Sequence, residues 1–187
     1  ANGTPYTATR VEARQHKIRY LPEEPLRNAC APKMSVADNL AFKMFDVRRN
    51  GRPAFWCSRK DMARNADRLI AEFNVKTTSP DARIASLSGG NVQRAVLGRE
   101  LTGEVNALII SNPCFGLDFG AVSAIRDRII EARNNGTAVL LISEDLDEIM
   151  ELSDRILVMS EGRIAFETTA AAADLTEIGQ HMAGHAA

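Results

Sequence analysis

The stretch of this chain best suited to meet an anion is Leu87-Ser88-Gly89-Gly90-Asn91. Ser88 is a residue type that caps helices. Gly89 and Gly90 carry no Cβ, so a ligand can approach the backbone closely there. The run that follows, with Gln93 among its polar positions, has apolar Val92, Ala95, Val96 and Leu101 on one side, which predicts a helix with one buried face. Several unpaired N–H groups would then point the same way as the positive end of the helix dipole. Alone, these five residues describe any capped helix with two glycines. Downstream, Ala107-Leu108-Ile109-Ile110 is a short apolar run that ends in Ser111-Asn112-Pro113-Cys114-Phe115-Gly116-Leu117-Asp118. This predicts a buried parallel strand followed by a loop. A glycine-led helix start suited to an anion is thus followed by a strand that ends in a polar turn.

The elements that must hold these parts are legible along the chain. Residues 1–17 read as polar, without a helix cap. Ile18 to Leu21 reads as a strand stopped by Pro22. Ser35, with Asp38 three residues on, reads as the start of a helix. Residues 46–58 read as a surface loop in which Trp56 is either exposed or a local anchor. Ser58 to Phe73 predicts an amphipathic helix with Met62, Ala66, Leu69, Ile70 and Phe73 on one side. From Val105 the pattern is β-α-β: a strand at 105–110 and a helix at 121–134 with Ala121, Ala124, Ile125 and Ile129 inward. Asn135-Gly136 ends that helix, and Thr137 to Ile142 is a buried strand. Asp145 to Leu152 reads as a short helix with Leu146, Ile149 and Met150 inward, and Arg155 to Glu167 as a hairpin about Glu161-Gly162. The tail, 168–187, is a helix or frayed.

Composition narrows the class. The chain has 187 residues and a formal net charge of -1, with no basic block, which argues against a dedicated nucleic-acid surface. No apolar run is long enough to span a bilayer; that at Ala138 to Ile142 is among the longest. No charged-then-apolar leader is visible at the N-terminus. Cys30, Cys57 and Cys114 form no metal-binding spacing and read as reduced thiols. His16, His181 and His185 read as surface residues, and no metal site is expected.

"LSGGNVQRAVLGREL", a strand, "GLDFGA" and then "LLISEDLDEIMELSDRILVM" together resemble the signature motif, Walker B strand, D-loop and H-loop region of ATP-binding cassette (ABC) proteins. The stretch "IRYLPEEPLR" adds a likeness to the second cassette of tandem sugar and nucleoside importers. The resemblance covers nearly all of residues 10–168. It implies an α/β, P-loop NTPase-like cassette fragment in three parts. Residues 1–33 would be core remaining after an absent Walker A loop, 34–104 a helical subdomain with the signature, and 105–187 core and tail. No G-x-x-x-x-G-K-[ST] occurs in the chain, so the expectation is a fragment truncated after the Walker A helix and inactive by itself.

By that resemblance, Leu87, Ser88, Gly89, Gly90, Asn91 and Gln93 form the signature, and Gly116, Leu117 and Asp118 the D-loop. Ser111 and Asn112 stand where the family places Asp-Glu at the strand end, and Asn112 cannot take a proton from water. Glu144 stands where the family places a His that senses the γ-phosphate, and puts a negative charge there. Glu23 holds the Q-loop position, either holding a metal-bound water or touching a membrane partner, or simply a solvated acidic turn. Three altered catalytic positions beside an intact signature imply a degenerate cassette. It would lend its signature to a partner cassette with an intact Walker A, which binds ATP and Mg²⁺. The implied partners are permease subunits and, indirectly, a solute-binding protein, with no nucleic acid, at the cytoplasmic face of the membrane. Two other readings are a soluble ABC protein acting on ribosomes or DNA, and a non-catalytic interaction module. Pull-down against membrane subunits or ribosomes separates the first of these, and turnover after changing Ser88 the second.

Overall fold

A computed structural model describes residues 6–44 and 58–184. The readings for residues 1–5, for the 46–57 loop with Trp56 and Cys57, and for His185 fall outside the described residues. The chain forms two compact units, 1–140 and 141–187.

The first unit opens with a helix the sequence reading missed. α1 (Arg10–Gln15) starts at Thr9, whose hydroxyl accepts the Glu12 N–H while the Glu12 carboxylate accepts the Thr9 N–H. This corrects the expectation of an uncapped N-terminal stretch: Thr9-x-x-Glu12 is a capping box. β1 (Ile18–Leu21) follows and ends at Pro22, as expected. Next come α2 (Pro25–Asn28) and α3 (Val36–Leu40). α3 has the expected reciprocal cap: Ser35 Oγ accepts the Asp38 N–H at 3.0 Å, and Asp38 Oδ2 accepts the Ser35 N–H at 3.3 Å. α4 (Arg59–Glu72) buries Ala66 and Leu69, and Phe73 is buried at its end. α5 (Gly89–Glu100) is buried along nearly its whole length from Val92 onward. It lies against β1, α2, α3 and α4, so it is the spine of this unit.

β2 (Ala107–Ser111) pairs parallel with β1, with Ile18 opposite Ala107 and Leu21 opposite Ile110. α6 (Phe119–Asn134) turns Ala121, Ile125, Ile129 and Ala132 inward and ends at Asn135, with Gly136 at φ +93°. β3 (Ala138–Ile142) completes a sheet of order β1-β2-β3 and leads into the second unit. The expectation of a buried strand here is corrected: Leu140 is 53% and Ile142 51% exposed. Ala138, Leu140 and Ile142 alternate onto one face of the strand, and that face is the exposed one.

Within the core of this unit sits a charge network that hydropathy did not signal. Arg99 and Glu100 are both buried, and Arg99 Nε donates to Glu100 Oε1 at 2.9 Å. Arg99 Nη1 donates to the Ala29 carbonyl at 2.8 Å, and Lys43 Nζ meets Glu100 Oε2 at 3.1 Å. Buried charge is tolerated only when paired in this way. Burial pushes the nearby Cys30 thiol up to about 11, against the opposing pull of Arg99.

The second unit is a hairpin with two helices. α7 (Leu146–Leu152) is capped by Asp145, whose carboxylate accepts the N–H groups of Asp147 and Glu148. β4 (Arg155–Ser160) and β5 (Arg163–Thr169) pair antiparallel. Their turn, Glu161 at φ +50° and Gly162 at φ +77°, has the two left-handed residues that a tight hairpin requires. α8 (Leu175–Met182) seats Ile178 on Ile156 and Val158. His181 is not a plain surface residue: its ring stacks on Phe166 at 4.4 Å and 5°. The ring supplies an apolar face to the hairpin, which corrects the surface reading.

Candidate functional site

The start of α5 is presented outward. Ser88 and Gly89 are exposed, and Leu87, Gly90 and Asn91 are half-buried. Ser88 occupies the N-cap with extended backbone, but its side chain makes no capping bond to a helix N–H. Instead Ser88 Oγ accepts the Asn91 side-chain amide at 2.8 Å, which corrects the simple capping role. The Ser88 carbonyl takes the N–H groups of Asn91 and Val92. The amides of Gly89 and Gly90, at the first positions of the helix, have no intrahelical acceptor. The Gly89 and Gly90 N–H groups and the positive end of a 12-residue helix thus lie together at one point.

The two glycines differ. A Cβ on Gly89 would meet only Leu117 Cδ2, at an ordinary 3.9 Å. A Cβ on Gly90 would lie 3.2 Å from the Ala121 Cβ. Packing therefore asks for glycine at 90 but not at 89, where the space opens outward.

The 111–118 loop lies beside this helix start. Ser111 closes β2, and Asn112 turns the chain at φ +43°. Asn is among the few residue types that adopt this left-handed conformation cheaply. The Phe115 N–H reaches the Asn112 carbonyl at 3.3 Å, the Leu117 N–H reaches that of Cys114 at 3.3 Å, and Gly116 sits at φ +70°. Asp118 caps α6, its Oδ1 accepting the Ala121 N–H at 2.9 Å. The first unit thus brings together Leu87–Asn91, Gln93 and Gly116–Asp118. Gln93 is buried, and its Nε2 donates to the Pro113 carbonyl at 2.8 Å.

No family model matches the chain. Its sequence is 39% identical over 169 residues to the glucose import ATP-binding protein TsgD13 of Haloferax volcanii, covering 89% of this chain and 30% of that protein. It is 35% identical over 170 residues to the nucleoside import ATP-binding protein NupA of Lactococcus lactis, covering 91% of this chain and 33% of that protein. Among solved structures it resembles the dimeric, post-hydrolysis ATP-binding cassette MJ0796 bound to ADP and Pi. That match has a TM-score of 0.70 and 17% identity, and covers 86% of this chain and 66% of that one. An ATP-binding subunit of an ABC transporter gives a TM-score of 0.69 at 21% identity, covering 93% and 71%. The chain is thus similar in sequence to import ATP-binding proteins and in structure to ATP-binding cassettes. Its α/β fold, with a parallel sheet flanked by helices, is the ABC ATPase cassette fold. It spans about a third of the length of the curated relatives it matches.

In the cassette, Glu23 is exposed on the turn after β1, and its carbonyl accepts the Asn28 side-chain amide. It is not joined to the α5 start by any hydrogen bond. Glu144, in the second unit, is exposed, and it follows Ser143, whose hydroxyl donates to Glu148 Oε2 at 2.6 Å. Glu148 is 1% exposed, a buried carboxyl that the sequence reading missed. Arg94 was missed too: it donates to two backbone carbonyls beside the site. Among the described residues no group of His, Cys, Asp and Glu is arranged to hold a metal ion, and no helix is long and apolar enough to cross a membrane. An open cavity of about 330 Å³, lined by Phe73, Leu101, Glu104 and Arg128 among others, lies at the far end of α5 and takes in none of the site residues.

Proposed function

We propose that this cassette is the part of an importer's ATP-binding subunit that donates the α5 start to a nucleotide held by a partner cassette. The observation that carries the reading is Gly89. It is exposed, at the first position of a helix, and free of any packing demand inside the chain. A helix N-terminus open in this way suits the terminal phosphate of ATP. Ser88, Gly89, Gly90 and Asn91 are the signature donors, Leu87 and Gln93 anchor them, and Gly116, Leu117 and Asp118 are the D-loop beside them. The similarity to import ATP-binding proteins for glucose and nucleosides supports a sugar or nucleoside as the solute. In this reading the chain works with permease subunits at the cytoplasmic membrane face and is fed by a solute-binding protein. The three-part division at residues 33/34 and 104/105 belongs to the same reading.

The residues of this chain fit the phosphate but not the metal. Ser111 and Asn112 offer no carboxylate at the end of β2, and Glu144 adds negative charge at the H-loop position. ATP and Mg²⁺ are therefore held by the partner, and the chain's own site is degenerate. Hydrolysis belongs to the assembly, and this chain alone turns nothing over. What its residues do is bind and orient: backbone N–H groups of α5 point at charge that develops on the partner's phosphate.

Two substitutions test this in the assembled importer. Gly89→Asp sets a carboxylate at the helix start without an internal clash, and should remove about 2.7–4 kcal/mol of catalysis, the scale of a lost transition-state donor. Asn112→Ala should lose no more than about 1 kcal/mol, one hydrogen bond. Equal damage to solute-stimulated ATPase rates would mean that the chain's own site is active.

A further inference from the structure

Gln93 and Arg94 are consecutive on α5 and reach the two ends of one loop. Gln93 Nε2 donates to the carbonyl of Pro113, where the loop leaves β2, at 2.8 Å. Arg94 Nη2 donates to the carbonyl of Gly120, where the loop has become α6, at 3.2 Å. The middle of the loop rests on the same helix: Leu117 Cδ2 lies 3.9 Å from the Cβ position of Gly89 and 3.7 Å from that of Gly90. The other guanidinium nitrogen, Arg94 Nη1, donates to the Asn74 carbonyl at 3.3 Å. Asn91 Oδ1 accepts the Lys76 N–H at 2.7 Å, so the turn after α4 is tied to the same helix end.

We propose that Gln93 and Arg94 are positioning residues that clamp the 113–120 loop by both ends to α5, so that loop and helix start move as one body. The physical reason is the economy of the connections. The loop's own turn bonds at 3.3 Å, the Asp118 cap and the contact of Cys114 Sγ with the Val122 carbonyl at 3.9 Å join the loop to itself and to α6, not to α5. The groups through which the loop ends meet α5 are the carbonyls of Pro113 and Gly120, so the tie takes donors. Gln and Arg are the side chains that supply them over this reach. Arg94 also serves two carbonyls from two separate nitrogens of one planar group, whereas Lys would bring a single nitrogen to both. The inference stands apart from any nucleotide.

The test is amide hydrogen exchange on the whole chain, in wild type, Gln93→Met, Arg94→Met, the double variant and Arg94→Lys. Exchange from local opening reports which amides move together. The double variant should speed the Phe115, Leu117 and Asn91 amides together by about tenfold, equivalent to about 1.4 kcal/mol. The amides of Val96, Leu97 and β2 should stay within about twofold. Arg94→Lys should fall between wild type and Arg94→Met. If the double variant unfolds, the two single Arg94 variants, at a half-buried position, carry the test with the same pattern. Acceleration spread over α5 and β2, acceleration on one side of the clamp only, or none, would overturn the proposal.

Discussion

Replacing Gly98 with alanine would place a carbon 2.7 Å from Phe73 Cδ2 and 2.9 Å from Cγ. Cγ lies on the axis of ring rotation, so spinning the Phe73 ring about Cβ–Cγ does not clear it. The ring is buried, ends α4, and has the Arg128 guanidinium 4.8 Å over its face, so α4 or α5 must shift instead. Overpacking of this kind costs about 1–3 kcal/mol, and two contacts under 3 Å argue for the upper half, about 2–3. Alanine in a helix interior gives back about 1 kcal/mol over glycine. The net expectation is a loss of about 1–2 kcal/mol. In urea, with a slope of about 2 kcal/mol/M, the midpoint should fall by about 0.5–1 M. Gly179 provides the control. It lies inside α8 with nothing within 4 Å of its Cβ position, so Gly179→Ala should stabilise by up to about 1 kcal/mol. Phe73→Leu should relieve part of the Gly98→Ala penalty. If Gly98→Ala stabilised the protein as Gly179→Ala does, the close packing of α4 on α5 described above would be wrong.

Ser143→Ala removes the hydroxyl that donates to Glu148 Oε2 at 2.6 Å, and the other oxygen of this buried carboxyl already has no partner. The change should cost about 1–3 kcal/mol, and the double change with Glu148→Leu should cost less, both read from urea unfolding. The hydrogen bond from Arg155, and then its charge, hold the Glu167 carboxyl below the usual carboxylate range. A lowered folded value means that Glu167 favours the fold above the ordinary carboxylate pKa, and that this is lost as pH falls through the lowered value. Titration of the Glu167 side chain by NMR should show the depression in wild type, and Arg155→Ala should return it to the ordinary range.

Most elements were legible because their signals are local. The strand at Ile18 to Leu21 is stopped by a proline, α3 is announced by Ser35 and Asp38, and the hairpin turns at Glu161-Gly162. Thr9 and Glu12 carry the same kind of signal as Ser35 and Asp38, so α1 was readable and was overlooked. The rest depends on partners distant in sequence. An apolar run such as Ala138 to Ile142 has the composition of a central strand, and only the sheet order puts it at an edge. Arg99 and Glu100 have the pattern of a solvated pair on a helix, yet the Ala29 carbonyl and the Lys43 ammonium, far back in the chain, meet them in the core. Gln93 and Arg94 were visible as residues, but Gln93 serves a carbonyl 20 positions downstream and Arg94 one 26 downstream and one 20 upstream, and no periodicity encodes that.

Asn112 bears on the site in two ways that pull in the same direction. Its backbone turns at φ +43°, where Asn is favoured over Glu on conformational grounds, so the residue is explained by the turn alone. The same choice removes a carboxylate from the strand end, and with Ser111 beside it the loop carries its first acid only at Asp118. That acid is engaged as the cap of α6. The loop next to Gly89 therefore brings no unengaged carboxylate toward the open amides of α5. A phosphate approaching those amides meets aligned N–H groups without a competing negative charge from the loop. A chain whose task is to donate amides needs this geometry held in place. A chain that positions a metal and activates water needs acids at 111 and 112. The structure holds the helix start and loop with side-chain ties at Asn91, Gln93 and Arg94. That distribution of effort is what the donor reading requires of this sequence.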